Sequence, residues 1–393
     1  MSRSTMPNSA MPRSVRPSST METSSAMPKS AMTSSAKPSR PSTPSQRSTS
    51  LRKSRPARRS RPARLAGFLL ATALVTVACA EALPQLQEPE ALPGPILSQE
   101  QSQHVLDSIN AALSAATASH DPDLLQGRVT GPALTVRTSQ LLVASILGSD
   151  DLVTDLPDSQ EQVILTTTHT WPRTSFAITS RPEDMQPQRL IALEQNSARE
   201  DYQMWAWVQL LPGITMPQFA HPQVGSPEVA PDDDSLVVAP QDAVAQYADL
   251  LMMGQMSVFT DNFQPLEEDP LRSFMAEWTA AQEAVLSAER VEGTHSLSVT
   301  PLAGAPIRAV RTESGGAMVM AALSMSEQMQ AVEGAYLEPS TQTALALLEG
   351  QERTNQLSAQ YIDMIALYIP AAGSDQPISL LGYTHVQIGA SVH

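Results

Sequence analysis

Between Ser98 and Ala116 apolar residues return at intervals of three and four, with Val105, Leu106, Ile109 and Leu113 on one face, which predicts an amphipathic helix. The turn SHDPD follows, and the period then shortens. RVTGPALTV, EQVILTTT, SFAITS, RLIALEQ and YQMWAWVQLL are rich in β-branched or alternating positions and predict strands. A second cycle opens near residue 240. Pro240 stands before a helical pattern carrying Val244, Tyr247, Ala248 and Leu251 on one side, and another helix covers about Pro270 to Glu289. APIRAVRT, GAMVMAALSM, YIDMIALYIP and ISLLGYTHVQIGA are the strand candidates after it. Ser314-Gly315-Gly316 and Ala372-Gly373-Ser374-Asp375 fall between such runs, as hairpin turns do. Helices followed by antiparallel strands, twice, predict an α+β chain of two helix-plus-curved-antiparallel-sheet lobes, 98–235 and 236–393.

The first 97 residues have another character. Residues 1–50 are mostly Ser, Thr, Pro, Met and Ala with no hydrophobic period and no aromatic residue, a composition that buries too little apolar area to offset chain entropy. They read as a disordered extension, or as the product of a start site set too far upstream, with translation beginning nearer Leu51. Residues 51–78 read as a signal peptide: seven Lys and Arg between Arg52 and Arg64, then fourteen uncharged residues from Leu65 to Ala78. That run is shorter than the roughly 20 residues of a comfortable membrane span. Arg58-Arg59 lacks the apolar residue that twin-arginine export expects soon after the pair. Residues 79–97, with four prolines and no clean period, read as an extended tether.

Thr76-Val77-Ala78-Cys79 resembles a bacterial lipobox, in which small residues precede a cysteine that is acylated and becomes the mature N-terminus. Thr76 stands where leucine is usual. Ala78-Cys79-Ala80 is also a small-x-small site, where ordinary cleavage after Ala80 would release a secreted soluble protein. Lipidation of Cys79, the single cysteine, is the preferred reading and places the chain on the extracytoplasmic face of the cell membrane. One acyl chain binds membranes only marginally, and two or more hold a protein stably.

Charge divides the chain at the same point. Fourteen of the 25 Lys and Arg and one of the 40 acids precede Cys79, leaving eleven arginines, no lysine and 39 acids after it, a formal balance of −28. Such a domain repels phosphate backbones, so nucleic acid is not an expected partner, and it gains nothing from anionic lipid. The bilayer is then reached through the acyl chains of Cys79 alone. With no cysteine after Cys79, no disulfide staples the domain, and its stability comes from a core.

GPALTVR, WPRTSFAITS, MWAWVQLLPGITMPQF, RTESGGAMVMAAL and YIDMIALYIPAAGSDQPISLLG together resemble a family of actinobacterial lipoproteins with a large C-terminal domain of unknown function. The resemblance runs from about Pro95 to the C-terminus and implies an envelope location; it carries no catalytic residues. The element order also resembles nuclear-transport-factor-like or cystatin-like lobes, folds that serve many functions.

Candidate chemistry is sparse. The seven histidines, His104, His120, His169, His221, His295, His385 and His393, are widely separated and form no HExxH run, and no metal or other cofactor is expected. His120-Asp121-Pro122-Asp123 and Asp232-Asp233-Asp234 offer oxygen ligands but read as solvated turns. Met252, Met253 and Met256, and Met318, Met320, Met325 and Met329, read as core. There is no G-x-S-x-G elbow and no phosphate loop. Trp205 and Trp207 share a strand face, with Trp171, Phe176 and Tyr202 on neighbouring segments. Core packing is the first reading of these rings, and a ligand or partner patch of Trp171, Tyr202, Trp205 and Trp207 the second. The expected function is a lipid-anchored envelope protein of unknown specific activity, a non-catalytic module for a small ligand or another envelope protein. Whether it is an enzyme stays open: the alternatives are a hydrolase of cell-wall material, testable as carboxylates such as Glu194 and Asp201 facing across a groove, and a purely structural envelope protein.

Overall fold

Ser98 caps the first helix, α1 (Gln99–Ser119), by a reciprocal pair of bonds with Gln101, and the buried stripe Leu106, Ile109, Leu113 and Ala116 follows the apolar period. The computed structural model describes residues 93–181, 187–287, 292–350 and 354–392. Cys79, the 1–50 extension, the 51–78 signal segment and most of the tether lie outside them.

The run RVTGPALTV does not form the expected strand. It opens a second helix, α2 (Gly131–Leu147), with Thr130 at its cap and Pro132 in its first turn, where the missing N–H costs nothing. Ala133, Val136, Leu141 and Ala144 are then its buried face, and Gly148 ends it in the left-handed conformation at φ 66°.

Four antiparallel strands follow as a meander: β1 (Gln160–Thr167), β2 (Arg173–Thr179), β3 (Arg189–Gln195) and β4 (Gln203–Leu210). The short β5 (Ser226–Val229) precedes helices α3 (Pro240–Met253) and α4 (Pro270–Ser287). Next come β6 (Gly293–Pro301), β7 (Arg308–Arg311), the long β8 (Ala317–Ala331), a short helix α5 (Gln342–Leu347), β9 (Gln356–Ile369) and β10 (Ser379–Val392).

The strands do not divide into two lobes. β10 pairs with β9 on one side and with β4 on the other, through Gly382↔Leu210 and Tyr383↔Gln209. β5 runs parallel to β1 and antiparallel to β7. Since β8 pairs with both β7 and β9, nine strands close into one barrel in the order β8, β7, β5, β1, β2, β3, β4, β10, β9. β6 joins the outer half of β8. This overturns the two-lobe expectation, and with it the open cone-shaped sheets of the cystatin-like comparison; the α+β composition stands. The physical reason is edge pairing: two separate curved sheets would each present unpaired backbone at their rims, and closure satisfies it.

Register decides which side chains enter the barrel. Ile164, Phe176, Ala192 and Ala206 are successive cross-strand partners, as are Met320 and Ala366, and all are buried. Met318, Met320, Ala322, Ile362, Met364 and Ala366 belong to the same core cluster, so large and alanine side chains interdigitate inside. The opposite face carries the helices. Val319, Ala321, Leu323, Ile365 and Leu367 pack with α3 and α4, and Trp207, in register with Ile191, lies under Arg137 of α2. Met252, Met253 and Met256 were expected in the core, yet they are 39%, 39% and 77% exposed, because α3 ends at Met253 and turns its last residues outward. Met325 and Met329 are buried.

Candidate functional site

A groove of about 1000 Å³ runs over β4 and β10 on the outside of the barrel, between α2 with the segment after it and α4. Alternation along β10 brings Tyr383, His385 and Gln387 to this face. Asp363 of β9 is the direct cross-strand partner of His385, and His385 Nδ1 lies 2.6 Å from Asp363 Oδ1. Two rings flank the imidazole: Tyr361 stacks on it at 4.8 Å and 15°, and Phe274 of α4 meets it in a T-shaped contact at 5.3 Å. His385 is itself part of the groove lining. Asp363 is 1% exposed, and its Oδ2 has no hydrogen-bond partner among the described residues.

The other wall is also polar and fixed. Arg189 donates to Gln209 Oε1 at 2.5 Å, and Gln140 donates to the Thr154 hydroxyl at 2.7 Å. Burial pushes the Arg189 guanidinium below its ordinary pKa, and the Asp155 charge offsets part of that. Leu152 and Phe274, 39% and 38% exposed, give the lining its apolar share.

Two further charged clusters are closed. Glu327 of β8 accepts from Trp278 Nε1 at 2.8 Å and from the Tyr361 hydroxyl at 3.3 Å, and lies 2.9 Å from His295 Nε2. Inside the barrel Arg308 of β7 donates to Glu194 of β3 at 2.7 Å. Glu228 nearby accepts from the Thr166 hydroxyl and the Thr174 N–H, and burial raises its pKa.

The family described as "Domain of unknown function (DUF8094)" matches residues 93–391. The chain belongs to this family. The DUF8094 domain therefore takes in the barrel but for the last residue of β10, helices α1 to α5, and the groove. No curated protein and no solved structure matches the chain. Among the described residues no helix is long and apolar enough to cross a membrane, and no three His, Cys, Asp or Glu side chains gather as metal ligands do.

The residues singled out from the sequence are spread over the DUF8094 domain. Trp205 and Trp207, 1% and 0% exposed, and Tyr202 are core side chains, with burial pushing the Tyr202 hydroxyl up to about 12. Trp171 is partly exposed, with the Arg173 guanidinium 4.2 Å from its ring centre. Glu194 and Asp201 do not face each other across a groove: one is paired with Arg308 inside the barrel, and the other is exposed and paired with Arg128 at 3.2 Å. Asp233 is paired with Arg311, and His120 with Asp150. The His385–Asp363 pair was not singled out, although a signal was there. The two residues stand at equal distances on either side of Ser374, within the turn that separates two strand-like runs.

Proposed function

We propose that the DUF8094 domain is a non-catalytic module of the cell envelope, held on the extracytoplasmic side by acyl chains on Cys79. The groove beside His385 is where it receives a small ligand or a segment of another envelope component. The observation that carries this reading is the groove itself. Its walls come from α2 and the segment after it, α4, and strands β3, β4 and β10 of a closed barrel, so its polar groups are fixed before anything binds. Phe274 and Leu152 supply apolar contact, while His385 and the Arg189–Gln209 pair supply direction.

A second reading follows from one distance. A histidine held by a buried carboxylate at 2.6 Å in the lining of a groove has the posture of a general base, as a hydrolase of envelope material requires.

One set of cells tests both. A photo-crosslinker at Leu152 in the full chain is expected to capture a reproducible partner or metabolite, and His385→Ala to lose it. An identical pattern from His385→Ala, or from a crosslinker at Val332 outside the groove lining, counts against the binding reading and leaves a structural role for the barrel. Release of soluble fragments from purified envelope material by the wild type but not by His385→Ala establishes the hydrolase instead. In the same cells an alkyne fatty acid labels the wild type and not Cys79→Ala; equal labelling removes the anchor.

A further inference from the structure

A second pocket, of about 690 Å³, lies between α1, α2 and residues 150–158. Its deepest polar group is Arg137, 2% exposed, whose guanidinium sits 5.6 Å from the centre of the Trp207 ring. Arg137 Nε has no hydrogen-bond partner among the described residues, and no described carboxylate forms an ion pair with the side chain. Asn110 Nδ2, on the α1 wall of the same pocket, is also buried and without a hydrogen-bond partner there. Both side chains belong to the lining of one pocket, and one of them is cationic. Leaving a buried donor unmet costs about 1–3 kcal/mol, and more when it is charged, so an occupant with acceptor oxygens repays a standing cost.

The rim narrows the class of occupant. Asp155 and Asp158 are exposed at the mouth, while Asp150 is engaged by His120. A phosphate dianion meets repulsion there, whereas a single carboxylate suits the planar guanidinium and an attached ammonium suits the rim. Ser114 and Thr117 add small polar groups along α1.

We propose that this pocket binds a zwitterion of amino-acid or dipeptide size, its carboxylate on Arg137 and Asn110 and its ammonium on Asp155 and Asp158. The pocket shares Val153, Thr154 and Asp155 with the groove lining, but the proposal rests neither on the groove reading nor on His385.

The experiment is calorimetric titration of the purified full chain with alanyl-alanine, and with two analogues that each lack one charge, N-acetylalanine and alaninamide. Alanyl-alanine is expected to bind saturably, and each analogue at least about tenfold more weakly, since hydrogen bonds to charged groups are each worth that much. Asn110→Leu and Arg137→Met should weaken alanyl-alanine by a similar factor. Asp158→Asn should weaken alanyl-alanine and leave N-acetylalanine unchanged. Circular dichroism shows whether Arg137→Met folds; if it does not, Asn110→Leu alone decides. Absence of saturable binding to the wild type, or undiminished binding to Asn110→Leu, overturns the proposal.

Discussion

Replacing Trp207 by alanine lowers the unfolding free energy by about 3–5 kcal/mol, read from urea denaturation followed by circular dichroism. The indole is 0% exposed, stands in register with Ile191 on the outer face of the barrel, and carries the Arg137 guanidinium above it. Truncation removes the burial of the largest type of side chain, opens a cavity under α2, and takes the π face away from a buried cation. Trp171→Ala is the contrast. That ring is partly exposed, and its loss should cost roughly 1 kcal/mol or less. Near-equal costs for the two variants would mean that Trp207 is not the core residue described above.

Gly382→Ala should cost about 2–3 kcal/mol by the same measurement, although it adds only a methyl group. A Cβ at Gly382 would lie 2.5 Å from the Gln209 carbonyl oxygen and 3.0 Å from Leu210 Cα, all backbone of β4. Backbone in a paired strand has no rotamer to yield, so the β4–β10 seam must open locally. Gly389→Ala in the same strand is the control. Its Cβ would touch only the Gln360 side chain, at 3.4 Å and beyond, and that side chain is free to give. The expected change there is under about 0.5 kcal/mol. Equal effects at the two glycines would argue against close pairing at the seam.

Where an element is held by its own pattern, the sequence was readable. The 3–4 spacing of Leu106, Ile109 and Leu113, the cap at Ser98, the strand through Trp205 and Trp207, and the turns at Gly315 and Gly373 all correspond to structure, although Met204 to Val208 are buried without alternation. The segment from Gly131 was misread because Val129, Thr130, Leu134, Thr135 and Val136 suggest β structure, while Pro132, the decisive residue, is as much at home in a first helical turn as at a strand edge. Closure was not legible at all. The pairs Leu210↔Gly382 and Thr166↔Ser226 join segments far apart in the chain, and neither partner carries a local mark of the other. The groove inherits that difficulty, since Arg189 and His385 approach it from opposite halves of the sequence. His385 and Asp363 were within reach, because a hairpin converts equal distances from its turn into contact. Burial of Trp205 and Trp207 followed from the first of the two readings their alternation allowed.

A single barrel built from both halves of the chain is the claim on which the groove, its fixed walls and the proposed function depend, and the Glu194–Arg308 pair tests it most directly. Glu194 belongs to the half read as 98–235 and Arg308 to the half read as 236–393, yet the two meet inside the ring at 2.5–2.7 Å. In a double-mutant cycle of Glu194→Gln and Arg308→Met, the barrel predicts a coupling of about 1–3 kcal/mol in unfolding free energy. Additivity of the two substitutions within about 0.5 kcal/mol would contradict it.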